Sequence, residues 1–146
     1  MEIINEILYN KCVYIPFFLW FAIQVFKVVT DLVKNKKLDV KRIVGAGGMP
    51  SSHSAIVCSI AILIGKEYGF DSGIFAMATI FAFIVMYDAT GVRRAAGRQA
   101  RILNKILETP GLTTVEVQEK LIEAIGHTPI QVFVGAALGI IVGAIF

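Results

Sequence analysis

The chain has 146 residues, of which 56% are hydrophobic and 17% charged, with a formal net charge of +3. Its mean hydropathy of +0.73 excludes an ordinary soluble domain of this length and is typical of a small polytopic membrane protein with one domain, residues 1–146. Cys12 and Cys58 lie in or beside apolar segments, so we expect packing or lipid-facing roles rather than a disulfide. Glu2 and Glu6 precede the first apolar run without a cleavage site after it, so no cleavable signal peptide is expected.

The first predicted membrane helix covers Val13 to Val33, with Pro16 expected in its first turn. Gln24 and Lys27 interrupt its apolar surface three residues apart, so they share a face. Such residues usually point into the bundle or a water-filled cavity, which makes Lys27 a candidate functional cation. The alternative, in which Lys27 extends to the membrane interface, is equally compatible with its position near the helix end.

The stretch Gly47-Gly48-Met49-Pro50-Ser51-Ser52-His53-Ser54 predicts an anion site at the start of a second helix. Its glycines allow a close backbone approach, and Ser51 is a favourable N-cap. The first amides of a helix point outward and carry partial positive charge, and His53 lies beside them as a possible proton donor. This helix runs to about Gly65, and it must include residues 66–68 or thin the bilayer if it is to span.

The remaining predicted helices are two apolar helices, one amphipathic helix and one short polar helix. Gly73 to Ala89 forms a third apolar helix, and Val92 to Leu107 forms an amphipathic helix for the membrane interface, with basic residues along one face. A short polar helix begins near Thr113 and ends near Gly126. The last helix runs from Pro129 to Phe146.

The last helix carries Gly135, Gly139 and Gly143 at four-residue intervals. Such a stripe allows another helix to approach closely, either within the bundle or in a homodimer. The predicted fold class is therefore all-α: an integral membrane bundle of about four transmembrane helices, plus an amphipathic interfacial helix and a short polar helix.

Positive charge predicts the orientation of the bundle. Residues 34–42 contain five Lys or Arg residues against one Asp, which is typical of a cytoplasmic loop. With the N-terminus outside, four alternating spans place this loop and the arginine-rich helix inside the cell. The same orientation gathers Lys27, the turn at 47–53, the turn at 88–94 and His127 on the cytoplasmic side.

These groups are suited to metal-independent attack on a phosphate ester. One histidine can attack phosphorus while the other protonates the leaving oxygen, and cations with helix amides offset the charge of the phosphoryl oxygens. Asp88 is the only carboxylate near this predicted site, whereas a magnesium-dependent transferase needs several. We therefore expect no cofactor and no metal.

Three stretches of the sequence resemble a known family. They are Gly47 to Ser54, Tyr87-Asp88-Ala89-Thr90-Gly91-Val92-Arg93-Arg94 and Gly126-His127-Thr128-Pro129-Ile130-Gln131-Val132. The chain resembles the divergent branch of the type 2 phosphatidic acid phosphatases, described as acid phosphatase and vanadium haloperoxidase related, over Gln24 to Gly139. The resemblance implies a membrane phosphatase in which His127 is the nucleophile, His53 is the general acid, and Ser51 and Ser52 contact phosphate.

The sequence departs from the parent motifs at two positions near His127. The orienting carboxylate is replaced by Gln131, which can fix an imidazole by hydrogen bonding but not by charge. The motif arginine is replaced by Leu121. Our hypothesis is that Arg93 or Arg94 replaces this arginine and that Asp88 replaces the carboxylate; the alternative is that Asp88 pairs with one of them to fix a turn.

The parent first motif is also incomplete. Lys34 and Lys41 have the spacing of its lysine and arginine, but the second is not arginine and no proline follows it; Lys27 is the alternative phosphate ligand. The predicted phosphate contacts are Lys27, Gly47, Gly48, Ser51, Ser52, Arg93 and Arg94.

Three functions fit these features. The first is an integral membrane phosphatase acting on a lipid phosphate or related phosphomonoester, and the second is a relative of the same fold that binds phosphorylated headgroups without turnover. A transporter is disfavoured because the second to fourth spans have almost no polar residues. The expected partners are membrane lipids and a phosphate ester, with no nucleic acid.

Overall fold

A computed structural model describes residues 2–36, 48–108, 121 and 126–146. Within these residues the chain forms six helices, and the predicted all-α membrane bundle is confirmed. In chain order the helices are α1 (Glu2–Tyr9), α2 (Lys11–Asn35), α3 (Ser52–Tyr68), α4 (Gly73–Thr90), α5 (Val92–Glu108) and α6 (Pro129–Ile145). Gly47, most of the basic loop and the expected short polar helix lie outside the described residues.

Helix α2 begins earlier than its apolar pattern predicts. The side chain of Asn10 accepts a hydrogen bond from the Cys12 amide and caps the helix, so α2 starts at Lys11 rather than Val13. Pro16 consequently lies inside the helix, in its second turn, and its predicted place in the first turn is wrong. The preceding helix α1 is exposed along its whole length and was not predicted.

Helix α3 is the centre of the bundle. It packs against α2, α4 and α6, and the side chains on its inner surface are mostly small. Buried serine, alanine and glycine residues let the neighbouring backbones approach closely. The predicted N-cap Ser51 is confirmed, and the helix continues through residues 66–68 to Tyr68.

The glycine stripe of α6 packs against α3 within the same chain. Gly135, Gly139 and Gly143 are buried, and a Cβ atom added at Gly139 would lie 2.3 Å from the carbonyl oxygen of Ala55. Of the two predicted uses of the glycine stripe, this contact is the close packing of helices within the bundle. Because α3 already covers these glycines, they are not exposed to a second copy of the chain, and the predicted homodimer stays a prediction.

The apolar outer surface fits a membrane environment. Helix α2 and the segment 73–108, which comprises α4 and α5, are long and apolar enough to cross a bilayer, and α6 is a shorter apolar helix. Helices α3 and α6 have 17 residues each, which corresponds to about 26 Å. On α4 only Ala82 and Ala89 are buried, so its large apolar side chains are available to lipid.

Helix α5 follows α4 after Gly91, close to the predicted boundaries. Its buried residues are Gly97, Ala100 and Asn104. The Asn104 side chain donates to the Leu121 carbonyl at 2.9 Å and accepts from the Leu121 amide at 3.0 Å. These two bonds hold α5 against Leu121.

Candidate active site at one end of the bundle

Two backbone hydrogen bonds join the ends of three helices. The His127 amide donates to the carbonyl of Ala89, near the end of α4, at 3.1 Å. The Ser51 amide donates to the carbonyl of Gln131, in the first turn of α6, at 3.0 Å. Residues far apart in sequence are therefore held at one end of the bundle, as the alternating helices predicted.

The two histidines lie next to each other. Their ring centroids are 6.1 Å apart with an interplanar angle of 77°. His53 is half-buried in the first turn of α3, whereas His127 precedes the N-cap of α6 and is 1% exposed. The structure thus brings together the predicted nucleophile and the predicted general acid.

The imidazole of His127 has unmet hydrogen-bonding capacity. Neither of its nitrogens has a hydrogen-bond partner among the described residues. Burial, followed by the positive charge of Lys27, lowers the pKa of His127 to about 4, so the ring is neutral near pH 7. Because buried polar groups are nearly always bonded, the imidazole has the capacity to bind a further group.

Lys27 points into the bundle. It is 4% exposed, which excludes the alternative in which its side chain extends to the membrane interface. Ile23 is also buried and lies one helical turn away on the same face of α2. The predicted functional placement of Lys27 is therefore supported by its burial and by its electrostatic effect on His127.

The start of α3 is a tightly packed cap. Ser51 is fully buried, and its hydroxyl oxygen accepts hydrogen bonds from the Ser54 amide at 3.4 Å and the Ser54 hydroxyl at 3.0 Å. Gly48 has a φ of 92°, which favours glycine in this turn. Ser52 is 3% exposed and lies beside His53. The Ser51 hydroxyl therefore caps the helix, and its predicted phosphate contact stays a prediction.

Gln131 caps the start of α6. Its side-chain oxygen accepts a hydrogen bond from the Thr128 amide at 2.9 Å, and the Thr128 hydroxyl accepts one from the Gln131 amide at 3.4 Å. This reciprocal pair is a capping box at the start of α6. The side-chain oxygen of Gln131 thus satisfies the helix terminus, and no hydrogen bond joins Gln131 to the His127 ring among the described residues. The predicted orienting role stays a prediction.

Asp88 forms an ion pair with Arg93 across the turn between α4 and α5. Both side chains are partly exposed, and this is the alternative in which Asp88 fixes a turn. The structure therefore does not support Asp88 as the replacement for the orienting carboxylate. Within the described residues, no three His, Cys, Asp or Glu side chains are grouped as metal ligands.

A basic cleft of about 320 Å³ borders His127 on the side of α5. A Cβ atom added at Gly126 would lie 2.3 Å from the Arg94 Cα, so the two backbones are in close contact there. The cleft is lined by Arg94, Gly97, Arg98, Arg101, Gly126, His127 and Thr128.

Arg98 and Arg101 line the cleft beside His127, which the sequence does not predict. The basic face of α5 predicts contact with lipid headgroups, because nothing in the helical period shows that His127 lies beside this face. Their spacing of four and seven residues after Arg94 was the available signal.

The protein is therefore an all-α membrane bundle with two neighbouring histidines and a basic cleft at one end. The chain belongs to the divergent PAP2 family, whose model matches residues 8–142. It is 43% identical over 129 residues to the uncharacterized membrane protein YuiD of Bacillus subtilis (strain 168), covering 81% of this chain and 82% of that protein. No solved structure matches the chain significantly. The family resemblance and the membrane location predicted from the sequence are confirmed.

Proposed function

We propose that this protein is an integral membrane phosphatase that hydrolyses a lipid phosphate or a related phosphomonoester. One observation carries the proposal: His127 is buried without a hydrogen-bond partner in the described chain, 6.1 Å from His53 and at the wall of an arginine-lined cleft. A phosphoryl group placed there would contact both histidines and the cations.

In the proposed reaction, the neutral His127 attacks phosphorus and the phosphate ester bond breaks. The electron pair of that bond goes to the leaving oxygen, which takes a proton from His53. His53 then accepts a proton from water, and the water oxygen attacks phosphorus. The phosphorus–nitrogen bond breaks, which releases phosphate and restores His127.

The separation of the rings fits these steps. An attacking atom lies about 3–3.5 Å from its target, and a general acid lies about 2.6–3.2 Å from the oxygen that it protonates. The ring centroids are 6.1 Å apart, so both imidazoles are close enough to approach a group placed between them. One phosphoryl group can therefore be shared by the two histidines.

The basic residues supply charge for the phosphoryl oxygens. Lys27 lies on the α2 side of His127, and Arg94, Arg98 and Arg101 lie in the cleft on the α5 side. Arginine matches phosphate geometry because its guanidinium group donates two parallel hydrogen bonds. We infer that the α5 arginines replace the motif arginine whose position is occupied by Leu121.

A headgroup-binding relative without turnover is the alternative function. The same cations and the same unpartnered histidine would bind a phosphate group. The capping-box role of Gln131 favours slow turnover, because it leaves His127 without an orienting partner among the described residues.

We further propose that α2, α3, α4 and α6 each cross the membrane and that the site faces the cytoplasm. Lys27, His53 and His127 lie at the end of the bundle where α4 meets α5. The basic α5 would then lie along the inner surface, where anionic lipids attract it.

Phosphate release from a panel of lipid phosphates, measured in mild detergent, tests the proposed phosphatase. We expect release by the wild-type protein, inhibition by vanadate, and loss of release in His127→Ala. Gly73→Ala is the matched control, because a Cβ atom there contacts nothing within 4 Å. No release above the level of His127→Ala, with phosphate still raising the melting temperature, would favour the headgroup-binding alternative.

A further inference from the structure

An apolar groove of about 430 Å³ runs between α2 and α6. Leu19, Ala22 and Phe26 form its α2 wall, and Val134 and Leu138 form its α6 wall. The groove has almost no polar surface, so a phosphate group would not be accommodated within it. Its chemistry suits a hydrocarbon chain.

One end of the groove adjoins the candidate active site. Pro50 lines the groove and directly precedes Ser51, whose amide is bonded to Gln131 at the start of α6. On α2, Ile23 lines the groove and lies one turn before the buried Lys27 on the same face. An apolar recess and a buried cation are thus continuous along one helix face.

We propose that this groove holds one hydrocarbon chain of the phosphorylated lipid while its phosphate reaches His53 and His127. The assignment rests on the proposed function, and it adds a lateral route by which the substrate enters from the bilayer between α2 and α6.

A second apolar recess, of about 200 Å³, lies between α3, α4 and α6. It extends along α4 from Phe75 to Met86. Unlike the α2–α6 groove, it is lined by no residue of α2 in the described chain, so it is not continuous with the buried Lys27.

The groove also predicts a dependence on chain length. Its α2 wall from Leu19 to Phe26 corresponds to about 10 Å of helix. A hydrocarbon chain should gain affinity until it fills this length, and further methylene groups would lie in the bilayer or detergent. We therefore expect KM to fall with chain length and then to level off.

Ala22→Trp tests the groove by filling it. Ala137→Trp is the matched control, because Ala137 is exposed on α6 and does not line the groove. We expect Ala22→Trp to raise KM at least tenfold for a long-chain phosphatidic acid and to leave a dibutyryl phosphatidic acid unchanged, with Ala137→Trp like wild type. Equal effects of the two variants, or equal loss with both substrates, would overturn the proposal.

Photo-crosslinking separates the failure of this inference from the failure of the phosphatase. A phosphatidic acid with a diazirine in its acyl chain is expected to label α2 and α6 at the groove in wild type and Ala137→Trp, but not in Ala22→Trp. Unlabelled phosphatidic acid should compete and phosphatidylcholine should not. Labelling elsewhere, or equal competition by phosphatidylcholine, would overturn the groove assignment. Labelling of the groove without hydrolysis would overturn the proposed phosphatase activity but not the groove assignment.

Discussion

At the scale of single residues, the burial of His127 determines its chemistry. Removing the imidazole from water disfavours its charged form, and the charge of Lys27 acts in the same direction. A neutral ring keeps the lone pair that nucleophilic attack requires. The same burial leaves two ring nitrogens without partners in the described chain, a cost that a bound phosphoryl group would relieve.

This lowered pKa predicts how stability depends on pH. In the unfolded chain His127 takes up a proton below about pH 6.5, whereas in the folded protein it does so only near pH 4. Between these values the unfolded state binds more protons, so stability falls as the pH decreases. We expect a loss of up to about 3 kcal/mol. Unfolding of wild type and His127→Gln in detergent from pH 7 to pH 4 checks this; identical pH profiles would contradict it.

The arginine cleft predicts different effects of neighbouring basic residues. Arg98→Ala or Arg101→Ala removes a charged donor from the cleft, whereas Lys105→Ala removes a charge from the same helix outside it. A hydrogen bond to a charged group is worth about 1.5–3 kcal/mol, so vanadate should bind about 10- to 100-fold more weakly to either arginine variant. Isothermal titration measures this. Equal weakening by Lys105→Ala would indicate a general charge effect instead.

At the scale of helices, the α3–α6 contact depends on the absence of side chains. Gly139→Ala would place a Cβ atom 2.3 Å from the Ala55 carbonyl oxygen and force the helices apart. We expect a loss of about 1–3 kcal/mol in the free energy of unfolding. Gly73→Ala, which meets nothing within 4 Å, should leave stability unchanged or slightly raised. Thermal unfolding of both variants in detergent compares them; equal melting temperatures would contradict the packing.

The helix boundaries were largely predictable from the sequence. Apolar runs and capping residues set the start of α3 at Ser52 and of α6 at Pro129. The functions of individual polar residues were less predictable, because a side chain can satisfy the nearest helix terminus instead of a distant ring. Gln131 caps α6 in this way, and Asp88 pairs with Arg93.

The sequence also could not show which part of the chain packs against a given helix face. The glycine stripe shows that something packs closely on α6, but only the fold shows that this is α3. Likewise, the period of α5 shows a basic face but not that Arg98 and Arg101 border His127. Both require knowledge of how distant segments meet.

At the scale of the whole molecule, the proposed topology places the α3–α4 loop and α5 on opposite sides of the membrane. Asp71→Cys marks the loop and Lys105→Cys marks α5, in a background with Cys12 and Cys58 replaced. In intact cells an impermeant maleimide should label only the first. In inside-out vesicles the maleimide should label only Lys105→Cys. The reverse pattern would contradict a cytoplasmic site.

The proposed mechanism depends on His127 as the nucleophile. Its most direct test is to quench His53→Gln protein after incubation with p-nitrophenyl phosphate, whose leaving group needs little protonation, and to locate phosphate by mass spectrometry. Without His53 to activate water, we expect an acid-labile phosphoryl group on His127. An unmodified His127 in a preparation that still releases p-nitrophenol, or phosphate on another residue, would contradict the mechanism.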